Sequence, residues 1–231
     1  MAPCRDERNG DHRTSAPFPD GGGVDRRAVN FVFVGVDVAQ RCFEVAVLAE
    51  RREVVEPGCT LATEEELLAR LLRLAPPEGI WVGVDAPLTW PTAGKWRPCD
   101  RLLQQEGIPL YSPLMPHFRL LAERGMALAA RLRAAGMRCE EVYPYAARVR
   151  LGLGRGAKKH TRAGRQAIQK DLSRHLDLRL GRGELLSHDA LDALIAAYTM
   201  WLYAHGQAEA LGDAEGTIVV PRRIEGRPGN F

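Results

Sequence analysis

Two aspartates close near-identical apolar pentapeptides, Phe33-Val-Gly-Val-Asp37 and Trp81-Val-Gly-Val-Asp85. Side chains alternate along a strand, so Gly35 shares a face with Asp37, and Gly83 with Asp85. A glycine two residues before an acid leaves room beside the carboxylate for a metal, a water or a substrate backbone. Either aspartate alone would serve equally as a turn residue; the same device occurring twice argues for a joint role. A third acidic element is Ser187-His-Asp-Ala-Leu-Asp192, where Ser187 suits a helix N-cap and Asp189 and Asp192, three apart, are neighbours on one helical face. Asp192 is the only charged residue between Ala190 and Leu202. A helix apolar nearly all round is a buried one, and a carboxylate inside it needs a cation or donors to compensate it. Asp189, in the first turn, would also complement the helix dipole. Glu141, near the end of the strand-like segment Arg138 to Tyr143, is a candidate fifth member.

Several carboxylates without matching His or Cys ligands suit the hard cations Mg²⁺ or Mn²⁺ rather than zinc. Two such ions about 4 Å apart would activate a water and stabilise the leaving oxygen of a phosphodiester. The five cysteines are scattered with no C-x-x-C pair, which argues against a disulfide framework and a cysteine zinc site alike.

The elements that must position these acids follow from hydrophobic patterning. Phe31 to Val38 is a continuous β-branched and aromatic run, as expected of a strand buried on both faces. Cys42 to Ala49 and Arg52 to Val55 continue it as an antiparallel meander. Thr63 caps a predicted helix over Glu64 to Leu74, and Ile80 to Asp85 is a second buried strand, reached through that helix and so parallel to an earlier one. Further helices are predicted near Asp100 to Glu106, His117 to Ala135, Ala163 to His175 and Ser187 to His205, with a last strand at Thr217 to Val220. The order indicates an α/β fold with a mixed central sheet, a three-strand antiparallel meander plus parallel strands, and flanking helices. Right-handed crossovers would set the Asp37 and Asp85 strands side by side at its centre. Residues 1–29 are polar and rich in Gly, Pro, Arg and Asp, and are expected to form a disordered leader before a single domain over 30–231. No window approaches the roughly 20 apolar residues of a membrane helix and no signal peptide is visible, so no membrane association and a cytoplasmic location are expected.

An acid on the first strand of a meander, a second on the strand after the first helix, and D-x-x-D on a late helix resemble the RNase H-like nuclease superfamily, bacterial Holliday-junction resolvases in particular. More closely, the chain resembles the family catalogued as domain of unknown function 429, described as predicted RNase H-like nucleases. The matching pieces are Gly35-Val-Asp37, Val84-Asp-Ala-Pro-Leu88, Arg97-Pro-Cys-Asp100-Arg101, Glu141-Val-Tyr-Pro144, the stretch from Lys158-Lys159 to Gly164-Arg165, and His188-Asp-Ala-Leu-Asp-Ala-Leu194. The resemblance implies a two-metal nuclease of RNase H-like fold in which Asp37, Asp85, Asp189 and Asp192 bind the ions and Glu141 joins the catalytic set. Position 85 departs from a typical resolvase in carrying aspartate where a glutamate is usual.

A nucleic-acid substrate needs a cationic track. Between Arg138 and Arg182 twelve Lys/Arg face four Asp/Glu, a local charge of +8 in a chain of net charge +3. Lys158, Lys159, Arg162 and Arg165 within it, with Arg97 and Asp100 from the earlier motif, are the candidate substrate-binding residues. Trp90, Trp96 and Tyr111 would stack on bases or serve as packing residues. Two other functions fit parts of the pattern. A nucleic-acid-binding protein on a nuclease-like fold would keep the basic segment without catalysis. A sugar-kinase-like or actin-like ATPase would use Gly-Val-Asp as a phosphate loop, but needs a second such domain for which 231 residues are too few.

Overall fold

The computed structural model describes residues 13–14, 31–181 and 183–223. The expected leader, residues 1–29, lies outside them except for the backbone of β1 (Arg13–Thr14). The strands β2 (Val32–Val38), β3 (Phe43–Ala49) and β4 (Val54–Leu61) form the anticipated meander. Helix α1 (Glu64–Leu71) follows, opened by a capping box in which Thr63 Oγ1 accepts from the Glu66 amide and Glu66 reaches back to the Thr63 amide. Then come β5 (Ile80–Asp85), α2 (Pro98–Gln105), α3 (Pro116–Ala134), β6 (Arg138–Glu141), α4 (Pro144–Leu151), α5 (Arg162–Leu172) and α6 (His188–Ala204). The hairpin β7 (Ala208–Asp213) and β8 (Gly216–Pro221) ends the described chain.

The main sheet has the order β4-β3-β2-β5-β6, with β2 antiparallel to β3 and parallel to β5, and β5 parallel to β6. This is the mixed α/β sheet with flanking helices expected from the sequence. β1, β7 and β8 make a separate three-stranded sheet. Alternation sorts the side chains of the central strands. Val32, Val34, Val36, Ile80, Val82 and Val84 pack with Leu67 and Leu71 of α1 and Leu128, Ala129 and Leu132 of α3. On the other face Phe33 meets α6, which is backed by Ala147 of α4 and by Ile168 and Leu172 of α5. A third apolar cluster joins Cys99 and Leu103 of α2, Ala146 of α4, and Leu211, Ile218 and Val220 of the β7–β8 hairpin.

The glycines of the two pentapeptides do something other than expected. A Cβ at position 35 would stand 1.8 Å from the Ala193 carbonyl oxygen and 2.5 Å from the Ala197 amide nitrogen. A Cβ at position 83 would stand 2.8 Å from both Met200 Cγ and Val142 Cγ2. The space beside these glycines is filled by α6, not kept for a metal or substrate. Gly58 in β4 does the same further along, since a Cβ there would stand 2.6 Å from Ala190 Cβ.

Three elements depart from expectation. β4 extends through Pro57-Gly58 to Leu61, which an edge strand tolerates because the missing N–H faces away from the ladder, and its pairing with β3 is irregular near Val45 and Val47. α4 begins at Pro144, read from sequence as the end of a strand; proline equally suits the first turn of a helix. β7 contains no β-branched residue and is a strand by virtue of its pairing with β8, with Gly212 at a φ of 128° where its Cβ would meet the Gly216 carbonyl. Among the described residues no helix is long and apolar enough to cross a membrane, and Cys42, Cys59, Cys99 and Cys139 are free thiols.

The seating of α6 on bare backbone yields a stability test. Gly35→Ala is expected to destabilise the fold by about 1–3 kcal/mol, the usual penalty for overpacking, because the obstructing atom is helix backbone and has no rotamer to move. Chemical denaturation measures it; an unchanged midpoint would show that α6 does not rest on Gly35.

Candidate active site

β2 and β5 run parallel and in register, so Gly35 stands opposite Gly83 and Asp37 opposite Asp85. Both carboxylates leave the sheet at its carboxyl edge on the α6 side. Two strand residues separate Gly35 from Asp37, about 6.6 Å, and the turn of α6 before Ala193 lies about 5.4 Å back along the helix. The glycine contact with Ala193 therefore sets Asp192 and Asp189 over Asp37. Ser187 caps the helix, its Oγ accepting from the Ala190 amide at 3.0 Å.

The four aspartates differ in exposure and partners. Asp192 is 3% exposed and takes the Lys159 ammonium on Oδ2. Asp37 and Asp85 are half-buried. Asp189 lies within hydrogen-bonding reach of Asp37, and His188 Nδ1 stands 2.6 Å from its carboxylate. Burial, reinforced by the charges of Asp192 and Asp189, pushes Asp37 from the ordinary carboxylate value up to about 7. Burial also raises Asp85 well above its ordinary value, and the charges of Asp37 and Asp192 add to it. Asp192 is raised by burial despite Lys159 and Arg148 beside it. The protein thus gathers more negative charge than its own cations neutralise.

That donor set fits a hard divalent cation: oxygen ligands only, a net deficit of positive charge, and no sulfur or imidazole within the triad of Asp37, Asp85 and Asp192. As the side chains stand, no three His, Cys, Asp or Glu among the described residues form a ready metal-binding group. Lys159 holds Asp192 instead.

Glu141, Arg97 and Asp100 require a correction. Arg97 is 2% exposed, Asp100 0% and Glu141 6%. Arg97 Nη1 and Nη2 donate to Glu141 Oε2 and Oε1 at 2.6 and 2.7 Å, Nη2 and Nε to Asp100 Oδ1 and Oδ2 at 2.7 and 3.1 Å. Glu141 Oε2 also accepts from the Leu88 amide at 2.8 Å, and Asp100 Oδ2 from the Arg97 amide at 2.9 Å. Burial alone would disfavour the Arg97 charge, but Glu141 and Asp100 outweigh it and raise its pKa. Buried and paired with one another, these residues stand away from solvent, and both Glu141 oxygens already accept from Arg97. They are positioning residues that clamp the Pro-rich connection after Asp85 onto β6.

The family model described as "Protein of unknown function (DUF429)" matches residues 23–216. The chain belongs to this family. Among solved structures it is similar to "T. thermophilus RuvC in complex with Holliday junction substrate", at 13% identity and a TM-score of 0.48 over 76% of this chain and 96% of that one. It is also similar to "Thermus thermophilus RuvC structure", at 16% identity and a TM-score of 0.41 over 78% of this chain and 99% of that one. No curated protein matches.

The basic segment of this family member is less free than its composition implied. Arg138 pairs with Glu140, Arg174 with Asp171 and Arg179 with Asp177. Arg150 is 3% exposed by side chain and ties α4 to Glu106, Glu209 and the Pro221 carbonyl. Arg165 is half-buried. Lys158 and Arg162 are exposed beside Lys159 and carry no ion pair among the described residues. Arg148 was not singled out in the sequence: 7% exposed, it lends charge to Asp192, donates from Nη2 to the Ala157 carbonyl at 3.1 Å and leaves Nε unpartnered. Its Tyr145-Ala-Ala-Arg148 surroundings gave no periodic cue. Trp90 and Trp96 are half-buried, whereas Tyr111 is 62% exposed and stacks on Phe118 at a centroid distance of 4.9 Å.

Two outcomes follow for stability. Arg97→Met strands two buried carboxylates and is expected to cost about 3–5 kcal/mol in denaturant titration; full stability with weakened substrate binding would instead make Arg97 a substrate contact. The fold binds the Asp37 proton more tightly than the unfolded chain does, so this group's stabilisation is complete below about pH 4 and lost as pH rises through about 7. In EDTA, Asp37→Asn should therefore be more stable than the wild type at pH 8 and converge with it towards pH 4, measured by urea denaturation at both pH values.

Proposed function

We propose that this protein is a divalent-metal-dependent nuclease that hydrolyses phosphodiester bonds in nucleic acid. The observation that carries the reading is the in-register emergence of Asp37 and Asp85 from adjacent parallel strands with Asp192 held above them. Burial raises all three carboxylates and the charge of a neighbouring aspartate adds to it in each, a cost that a merely structural edge would shed. Asp37 and Asp85, with Asp192 and Asp189 alongside, are the residues that would hold Mg²⁺ or Mn²⁺. The ion supplies Lewis acidity and the activation of water for attack on phosphorus.

The chain's own residues supply the rest. Asp189 stands at the rim beside Asp37, with His188 Nδ1 2.6 Å from its carboxylate. Lys158 and Arg162, exposed one residue before and three after Lys159, suit the phosphate backbone of a bound strand. The Arg97–Glu141–Asp100 clamp fixes the connection leaving Asp85 and so holds that carboxylate at the sheet edge. The RuvC structure bound to a Holliday junction is consistent in kind with a nucleic-acid partner.

Cleavage assays on single-stranded, duplex, hybrid and branched substrates with Mn²⁺ test the proposal. Asp37→Asn is expected to lower the rate by about 100-fold or more; wild-type activity in that variant would remove Asp37 from the site. The Lys159 ion pair on Asp192 favours a second reading, a nucleic-acid-binding protein without catalysis. Tight binding with no cleavage in any divalent metal would select it.

A further inference from the structure

The cations around the acids are unevenly placed. Lys159 sits on Asp192, and Arg148 lends its charge to the same carboxylate. Among the described residues Asp37 and Asp85 have no ion pair of their own, and Lys159 reaches them only as a more distant charge.

Lys159 is delivered by a built segment and not by a loose one. The turns after α4 run through Gly152, Gly154 and Gly156 at φ values of 71°, 53° and 70°. Asp171 Oδ2 accepts from the Gly154 amide at 2.8 Å, the Ala157 amide donates to the Gly154 carbonyl at 2.8 Å, and Arg148 donates to the Ala157 carbonyl at 3.1 Å. The Lys158 carbonyl accepts from both the amide and the hydroxyl of Thr161, at 2.9 and 2.8 Å. Gly164 backs onto that carbonyl so closely that a Cβ there would stand 1.9 Å from its oxygen. Lys159 therefore projects from a segment fixed on both sides, with 44% of its side chain exposed and its ammonium on a carboxylate that is 5% exposed.

Residue type is informative too. The chain uses 28 Arg and only 4 Lys, yet a lysine stands against Asp192. An ammonium is a compact point charge, whereas a guanidinium is a planar fork that pairs with both oxygens of one carboxylate. Only the first resembles a small cation in shape and in the single oxygen it claims.

We propose that Lys159 is a resident cation of this site, taking the place of a second divalent ion against Asp192, so that the chain binds one Mg²⁺ or Mn²⁺, held by Asp37 and Asp85, where a bare carboxylate set would bind two. The inference rests on the metal-dependent reading above and refines it: one divalent ion and one ammonium supply the charge facing the phosphate.

Mn²⁺ titration of the full-length protein, followed by calorimetry and by the paramagnetic resonance signal of free Mn²⁺, counts bound ions without any assay of activity. The expected stoichiometries are one for the wild type, two for Lys159→Met, and one for Lys159→Arg, which keeps the charge. Lys159→Gln repeats the neutral substitution should the methionine variant fail to fold, which the half-exposed position makes easy to check by thermal melting. Two ions in the wild type, or one in the neutral variants, would overturn the inference and leave the nuclease reading standing. No ion in any variant would overturn both.

Discussion

A backbone contact between one helix and one strand governs this molecule. α6 lies so close to β2 and β5 that Gly35 and Gly83 leave no space for a side chain, and the helix backbone itself fills the groove. Close approach of this kind fixes rotation and translation of the helix together, because sliding by a residue would drive Cβ atoms into the sheet. The helix is apolar nearly all round and buried from Ala190 to Leu202, so it has no solvated face to settle against instead. Asp192 is thereby carried into the interior and held above Asp37. Its cost in desolvation is borne by the rest of α6, whose Leu191, Leu194, Ile195 and Met200 are almost wholly removed from water.

Around that contact the fold separates two kinds of carboxylate. Glu141 and Asp100 are buried, and each accepts from Arg97 and from a backbone amide. Asp37 and Asp85 are crowded against Asp192 and have no cationic partner of their own among the described residues, and Asp192 has Lys159. The first group rigidifies; the second retains unsatisfied charge where a ligand can meet it. Asp85 and Glu141, one from each group, end the neighbouring strands β5 and β6, so it is their partners and not their distance that set them apart.

How much of this was legible in the sequence depended on the range over which each residue acts. β2, β5 and α6 announce themselves through local composition: β-branched runs ending in aspartate, and a capped apolar helix with a lone acid. The side-by-side placing of β2 and β5 followed from the handedness of crossovers. The purpose of Gly35 and Gly83 did not, because alternation says which face a glycine is on but not what approaches it. Arg97 and Glu141 are 44 residues apart, and nothing local distinguishes a cation that will be buried from one that will meet a phosphate. Lys159, read from the sequence as a substrate contact, reaches inward to Asp192, while Lys158 next to it stays in solvent. β7 was invisible for the opposite reason, since its strand character comes wholly from its neighbour β8.

The parallel, in-register pairing of β2 with β5 also bears on how the chain assembles. Because the two strands carry the same pattern of valines, glycine and aspartate, their correct alignment is one of several that would satisfy hydrophobicity alone. A slip of one residue would turn either Asp37 or Asp85 into the apolar layer occupied by Val34, Val36, Val82 and Val84. An ionised carboxylate there would have neither water nor partner. The acids assigned to chemistry therefore also act as proofreaders of strand pairing, rejecting during folding the misalignments that the valines would accept.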